Sequence, residues 1–159
     1  GSIVSTVPSL MIEDFEGTPP VFIEFGNIEA PLIIPNFDTS GINNTLTVAS
    51  QLKTAGSEVW AGSFFEVSPS LDLGSYNNLS VMTYAPVVGA VIKLKLENAD
   101  ASIIYEVDLE STLLNQWEEL VYDFSDAPEA DYTRIVIFFD FGNPGNDSIY
   151  YYDQFQLTN

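Results

Sequence analysis

The sequence predicts an all-β fold, a β-sandwich of the jelly-roll type, on three observations. Apolar and polar residues alternate with a period of two along several segments. The 3.6-residue periodicity of helices is scarce. Clusters of Gly, Pro, Asn and Asp recur between the alternating runs, as they do where short strands turn back on one another. A chain of 159 residues supports one domain around a single core.

The elements follow in chain order. Gly1-Ser2 reads as an expression scar, and residues 1–10 as that scar plus residual linker, with residues 3–9 open to being an edge strand. The domain is expected to span residues 11–159 and to belong to a larger protein. Pro19-Pro20 and Pro35-Asn36 punctuate the N-terminal third. Strands are expected at residues 46–51, 60–67 and 79–85. Ile92, Leu94 and Leu96 share one face of the next run while Lys93, Lys95 and Glu97 share the other, a half-buried strand. Glu106 and Asp108 fall on one face of the strand after it. Leu120, Tyr122 and Phe124 mark a core face opposite to Glu119, Val121 and Asp123. Residues 132–141 and 148–157 are long β-branched and aromatic runs. Between them, Asn143-Pro144-Gly145-Asn146-Asp147 has the composition of a hairpin connection.

Charge narrows the possible ligands. There are 23 acidic and 4 basic residues, no histidine, and a net charge of −19. Nucleic acid binding needs cations that displace counterions from phosphates, so no nucleic-acid partner is expected, and anionic glycans meet the same repulsion. Neutral ligands and cations suit such a surface. Acidity that merely keeps a secreted protein soluble explains the same number. No apolar run is long enough for a membrane helix, so no membrane insertion is expected. Absence of cysteine and histidine excludes thiolate nucleophiles, Ser-His-Asp triads and zinc sites built on these residues. Any bound metal would need oxygen ligands, which points to calcium.

Several motifs then stand in a familiar order. Asp14-Phe15-Glu16-Gly17 resembles the opening strand of calcium-binding jelly-roll carbohydrate-binding modules. Tyr150-Tyr151-Tyr152-Asp153-Gln154-Phe155-Gln156-Leu157 resembles their closing strand. Ser40-Gly41-Ile42-Asn43-Asn44-Thr45, Val59-Trp60-Ala61-Gly62 and Gln116-Trp117-Glu118-Glu119-Leu120 fall between them in the order these modules show. Gln154 stands where the family often carries a second Asp. The resemblance implies a secreted or cell-surface protein, expected to be monomeric, that binds a neutral polysaccharide. It also implies a structural calcium held by Glu16 and Asp153, with Asn43 or nearby carbonyls completing the shell. Read without the resemblance, Glu16 is an exposed strand acid and Asp153 a turn cap, and Asn143–Asp147 is a rival calcium loop.

Sugar recognition wants exposed aromatic rings, which stack on apolar pyranose faces, beside polar groups that meet the hydroxyls. Trp117 has the phase of Glu119, Val121 and Asp123, so it faces away from the core as a platform or as cover for the sandwich edge. Trp60 shares phase with Gly62, Phe64 and Glu66 and is either a platform or a core plug. Lys93 and Lys95 hold half of the basic residues on one strand face. They either donate to sugar hydroxyls, with Glu97 and Glu106 accepting, or form a cross-strand ladder with Glu106 and Asp108. Tyr84, before Pro86, is placed to reach a loop-lined rim, and Asp140 has the phase opposite to Phe139 and Phe141. The candidate sugar contacts are thus Trp60, Tyr84, Lys93, Lys95, Glu106, Trp117 and Asp140.

No catalytic residues are expected. Two carboxyl groups at glycosidase spacing will occur by chance among so many acids, but no Glu-x-Asp-x-x-Glu strand is present, and a lyase lacks the histidine or cations it would need. The expectation is non-catalytic binding of a neutral polysaccharide, a β-glucan and within that class a β-1,3-glucan of the laminarin type being preferred, with xylan or mannan fitting almost as well. The alternatives are a structural or adhesion module without a sugar site and a small jelly-roll glycoside hydrolase.

Overall fold

The computed structural model describes residues 9–159, and the alternating pattern resolves into eleven strands. They are β1 (Ser9–Glu13), β2 (Ile23–Phe25), β3 (Leu32–Pro35), β4 (Thr47–Lys53), β5 (Gly62–Glu66), β6 (Asn78–Tyr84), β7 (Val91–Asn98), β8 (Ile104–Glu110), β9 (Trp117–Asp123), β10 (Tyr132–Phe139) and β11 (Ser148–Thr158). Two antiparallel sheets face each other. The first runs β3-β4-β11-β6-β9, with β1 also paired to β11; the second runs β2-β5-β10-β7-β8. Among the described residues no helix is long and apolar enough to cross a membrane.

Each strand sends one face into a shared interior. Ile92, Leu94 and Leu96 of β7 meet Ile135, Ile137 and Phe139 of β10 beneath Leu79, Val81, Tyr150 and Tyr152 of the opposite sheet. Each such side chain contributes roughly 1.5–3 kcal/mol by leaving water. Phe15, Phe65, Tyr152 and Phe155 form an edge-on aromatic nest with centroids 5.4–6.4 Å apart, the geometry that ring quadrupoles favour.

The expected strands are present, and β2 and β3 are additional. The strand expected at residues 60–67 begins only at Gly62, with Trp60 in the preceding turn. Four further differences stand out. β1 takes in Ser9 and Leu10, which pair with Thr158 and Leu157; this is earlier than the expected domain start at residue 11, and the rest of the supposed linker lies outside the described residues. Asp14–Gly17 is a turn after β1 rather than a strand. Glu13 and Asp14 carboxylates accept the backbone N–H groups of Phe15 and Glu16, and Phe15 takes a left-handed φ of 57° that drives its ring into the core. Residues 143–147 do not close a hairpin, because β10 and β11 lie in different sheets; the insert crosses between layers. Finally, β10 ends at Phe139, since Asp140 turns left-handed at φ 50° and breaks the alternation expected through Phe141.

Candidate functional site

The outer face of the second sheet carries a grid fixed by strand register. One row runs Ile23, Phe64, Val136, Lys95, Glu106 across all five strands, and the next runs Phe25, Gly62, Phe138, Lys93, Asp108. A groove of about 430 Å³ lies on this grid. Phe25, Trp60 and Phe64 line one side, Lys95, Glu97 and Glu106 the other, with Val136 and Phe138 from the central strand β10 and Phe141 also in its lining. Gly62 makes the aromatic side possible. A Cβ there would stand 2.6 Å from the Ile137 carbonyl oxygen and 3.0 Å from both the Phe25 and Phe138 rings, so any other residue would push those rings apart.

Trp60 is 48% exposed and lies nearly parallel to Phe25, centroids 6.3 Å apart. It lies in the turn before β5 rather than on the strand, so strand phase does not govern it, and its exposure makes the core-plug reading fail. The Lys93 ammonium donates to Glu106 at 2.7 Å, lies 3.8 Å from Asp108, and stands 3.8 Å from the centroid of Phe141, a cation–π contact. Lys95 pairs with Glu97 at 2.9 Å. Arg134 bridges Glu97 at 2.9 Å and Glu66 at 2.7 Å while lying over the Phe64 ring. Burial would raise the Glu97 carboxyl, but hydrogen bonds from Arg134 and Lys95 outweigh it and hold it below its ordinary value. The charge ladder and the groove thus coexist. Three of the chain's four basic residues lie on this one face.

The remaining candidates fall elsewhere. Trp117 does point away from the main core, yet it is only 5% exposed. It belongs to the first sheet, in register with Tyr84 and Tyr151, and Phe37 from the loop after β3 covers all three rings with centroids 4.5–6.4 Å away. Alternation gives the face of a strand residue but says nothing about a loop folded over it. Tyr84 shares that cluster on the sheet opposite to the groove. Asp140 sits in the turn after β10, where its carboxylate accepts from Asn143, and does not line the groove. Phe25, Phe64, Phe138, Phe141 and Arg134 were not anticipated. Phe64 shares the outward phase of Glu66 on β5, a usable signal for one of them; the others depend on which strands become neighbours.

A second cluster joins β11 to the loop after β3. Asp153 is fully buried, and its carboxylate accepts from Asn43 Nδ2 at 3.0 Å, from the Thr45 hydroxyl and from the Gln154 N–H at 2.9 Å. Gln154 in turn donates to Asn43 Oδ1 at 2.8 Å. Glu16 accepts the Leu46 and Thr47 N–H groups and the Thr47 hydroxyl, which also lies 2.5 Å from the Phe15 carbonyl oxygen. Burial pushes the Asp153 carboxyl up to about 6, and the Glu16 charge adds to the rise. None of the chain's four basic side chains hydrogen-bonds or ion-pairs with either carboxylate. Among the described residues no group of three or more Asp, Glu, His or Cys gathers for a metal. Asp153 is thus met by an amide, a hydroxyl and a backbone N–H, and Glu16 by two backbone N–H groups and a hydroxyl.

With this geometry in hand, comparison with solved structures settles the fold. The chain is similar to a family 11 carbohydrate-binding module of a cellulosomal cellulase of Clostridium thermocellum, at 13% identity and a TM-score of 0.62, covering 96% of this chain and 95% of the other. A family 11 carbohydrate-binding module from Clostridium thermocellum in complex with a β-1,3-1,4-mixed-linked tetrasaccharide gives 12% identity and 0.65, covering 96% of both chains. A family 29 carbohydrate binding module variant in complex with cellulohexaose gives 13% identity and 0.59, covering 96% and 91%. No protein-family model and no curated protein sequence matches the chain. At these identities the likeness establishes a shared jelly-roll sandwich.

Proposed function

We propose that this chain is a non-catalytic module that binds a neutral β-linked glucan in the groove on the outer face of the second sheet. The observation that carries the reading is the groove's two-sidedness. Phe25, Trp60 and Phe64 offer rings to the apolar faces of pyranose units, while Lys95, Glu97 and Glu106 offer donors and acceptors to their hydroxyls. An open groove of this kind gives modest affinity, since the ligand stays partly hydrated. Cations already matched to carboxylates have little charge left to attract an anionic glycan, which favours a neutral one. Sandwiches of this shape hold a mixed-linked glucan in one case and cellulohexaose in another, which supports a β-linked hexose chain. A β-1,3-glucan of the laminarin type is the preferred ligand, and a polymer of this class is met outside the cell, by a secreted or surface protein.

Catalysis is disfavoured by the electrostatics. A glycosidase acid needs a carboxyl group raised toward neutrality, whereas Glu97 is held as an anion by two cations. The structural-module reading draws on two real observations, the burial of Trp117 on the first sheet and the carboxylate partners of Lys93 and Lys95 on the second, but it leaves the half-exposed Trp60 and the groove without a purpose.

The Glu16–Asp153 cluster fits a structural calcium. A carboxylate raised by burial and further by a second carboxylate, with no basic side chain bonded to it, is one whose charge a hard cation would neutralise on displacing the Asn43, Thr45 and Gln154 donors. Glu16, Asn43 and Asp153, with the Thr47 hydroxyl or the Phe15 carbonyl oxygen, would hold it, and the ion would pin the turn after β1 and the loop after β3 to β11.

Affinity gel electrophoresis with laminarin, mixed-linked β-glucan, xylan, mannan and a polyuronate tests the proposal. Retardation by a neutral β-glucan and none by the polyuronate is expected. Mobility unchanged in every gel would sink it.

A further inference from the structure

The fourth basic residue does not reach the groove, yet it acts on it. Lys53 belongs to β4 of the opposite sheet and is only 2% exposed. Its ammonium crosses the layer and donates to the carbonyl oxygens of Phe139 and Asp140, at 2.8 and 2.7 Å. These carbonyls lie at the point where β10 leaves the sheet: pairing with β5 ends at Phe138 and pairing with β7 at Phe139. Asp140 then turns left-handed, the Phe141 N–H donates to the Val91 carbonyl, and the Gly142 N–H donates to the Val59 carbonyl. That short turn thus carries Phe141 directly. It also holds the residue before Trp60, so two aromatic groups of the groove hang from it.

We infer that Lys53 is a positioning residue for the aromatic end of the groove, setting Phe141 and Trp60 through the Phe139–Gly142 turn. The inference rests on the groove being the glycan site. The Phe139 carbonyl is buried and that of Asp140 part-buried, so one ordered water could satisfy them as well as a lysine does. Taking an ammonium out of water is unfavourable unless its geometry is fully used, and this chain has only four basic residues. An ammonium anchored in the other sheet does what water does not: it fixes the turn at a set height above the core. Phe141 packs on Phe138 and under Lys93, and Trp60 on Phe25, so the turn sets where those contacts are made.

The test uses Lys53→Met, which keeps the stem and removes the donor, with Lys53→Gln as the fallback if that variant does not fold. In a Trp117→Phe background Trp60 is the sole indole, so acrylamide quenching reads its exposure without any sugar. Lys53→Met is expected to raise that quenching and to weaken laminarin binding about tenfold. Phe141→Ala should weaken binding by a similar factor, and the double variant should lose less than the product of the two factors, since Phe141 is one of the two rings that Lys53 sets. Unchanged quenching, or losses of affinity that multiply, would overturn the inference. If the unaltered protein ignores every glucan, the sugar reading falls by itself, and the quenching measurement still decides the role of Lys53.

Discussion

The Lys93 ammonium stands 3.8 Å from the centroid of the Phe141 ring and 2.7 Å from the Glu106 carboxylate. One cation thereby ties the charged strand pair β7–β8 to the aromatic end of the groove. Polar and apolar halves of the face are locked together rather than merely adjacent, and the consequences of changing either half can be stated.

Trp60→Ala should reduce affinity for soluble β-glucan at least about tenfold, the loss typical of an aromatic anchor. The melting temperature should hardly move, because the indole is half exposed and its truncation changes stability by about 1 kcal/mol or less. Isothermal titration and thermal melts of the same sample separate the two effects. Retained affinity would show that the rings are not the platform.

Trp117→Ala should do the reverse. Truncating a ring buried against Val48, Met82 and Phe37 costs about 3 kcal/mol or more through lost burial and the cavity left behind. Folded protein should still bind glucan, since this cluster lies on the other sheet. Trp117→Phe should be milder, because the indole N–H has no hydrogen-bond partner to lose.

Acid should unmake the polar side of the groove at a defined point. Glu97 has a folded value below its ordinary 4.5, so it contributes stability above pH 4.5 that is lost as pH falls through the lower, folded value. Affinity is expected to stay level from about pH 8 to about pH 5 and to fall below pH 4.5 as the Lys95 and Arg134 bridges open. In Glu97→Gln this acid limb should be reduced, measured as affinity against pH beside the parent protein.

Calcium, if held by Glu16, Asn43 and Asp153, should raise the melting temperature, and a chelator should lower it without altering glucan affinity, the groove being on the other sheet. Asp153→Asn should remove the response to both. Because donors face both Asp153 oxygens, the amide N–H₂ of the variant opposes one set of them, and the variant is expected to melt somewhat below the chelated parent as well. A parent protein indifferent to calcium and chelator would refute the site.

How much of this was legible beforehand depends on the range of the interaction. The strand faces of β7, β9 and the inner half of β10 follow from alternation, because a pleat assigns each side chain to a face by parity alone. The pairing of Lys93 with Glu106 and Asp108 was readable for the same reason, since β7 and β8 are joined by a short connection. Parity fails where the backbone leaves the pleat. Asp140 at a positive φ moved Phe141 to the outer face, and the loop carrying Phe37 buried an indole that parity had placed in water.

By itself, then, the sequence determined a two-layer β fold, a surface unfriendly to anions and a chemistry without thiols or imidazoles, because these depend on local pattern and on composition. The tertiary structure alone decided which indole meets solvent, that three of the four cations share one face with Phe25 and Phe64, and that Lys53 reaches that face from behind. Those facts join residues dozens of positions apart. Only the order of strands in the sheets, which no local period encodes, makes them neighbours.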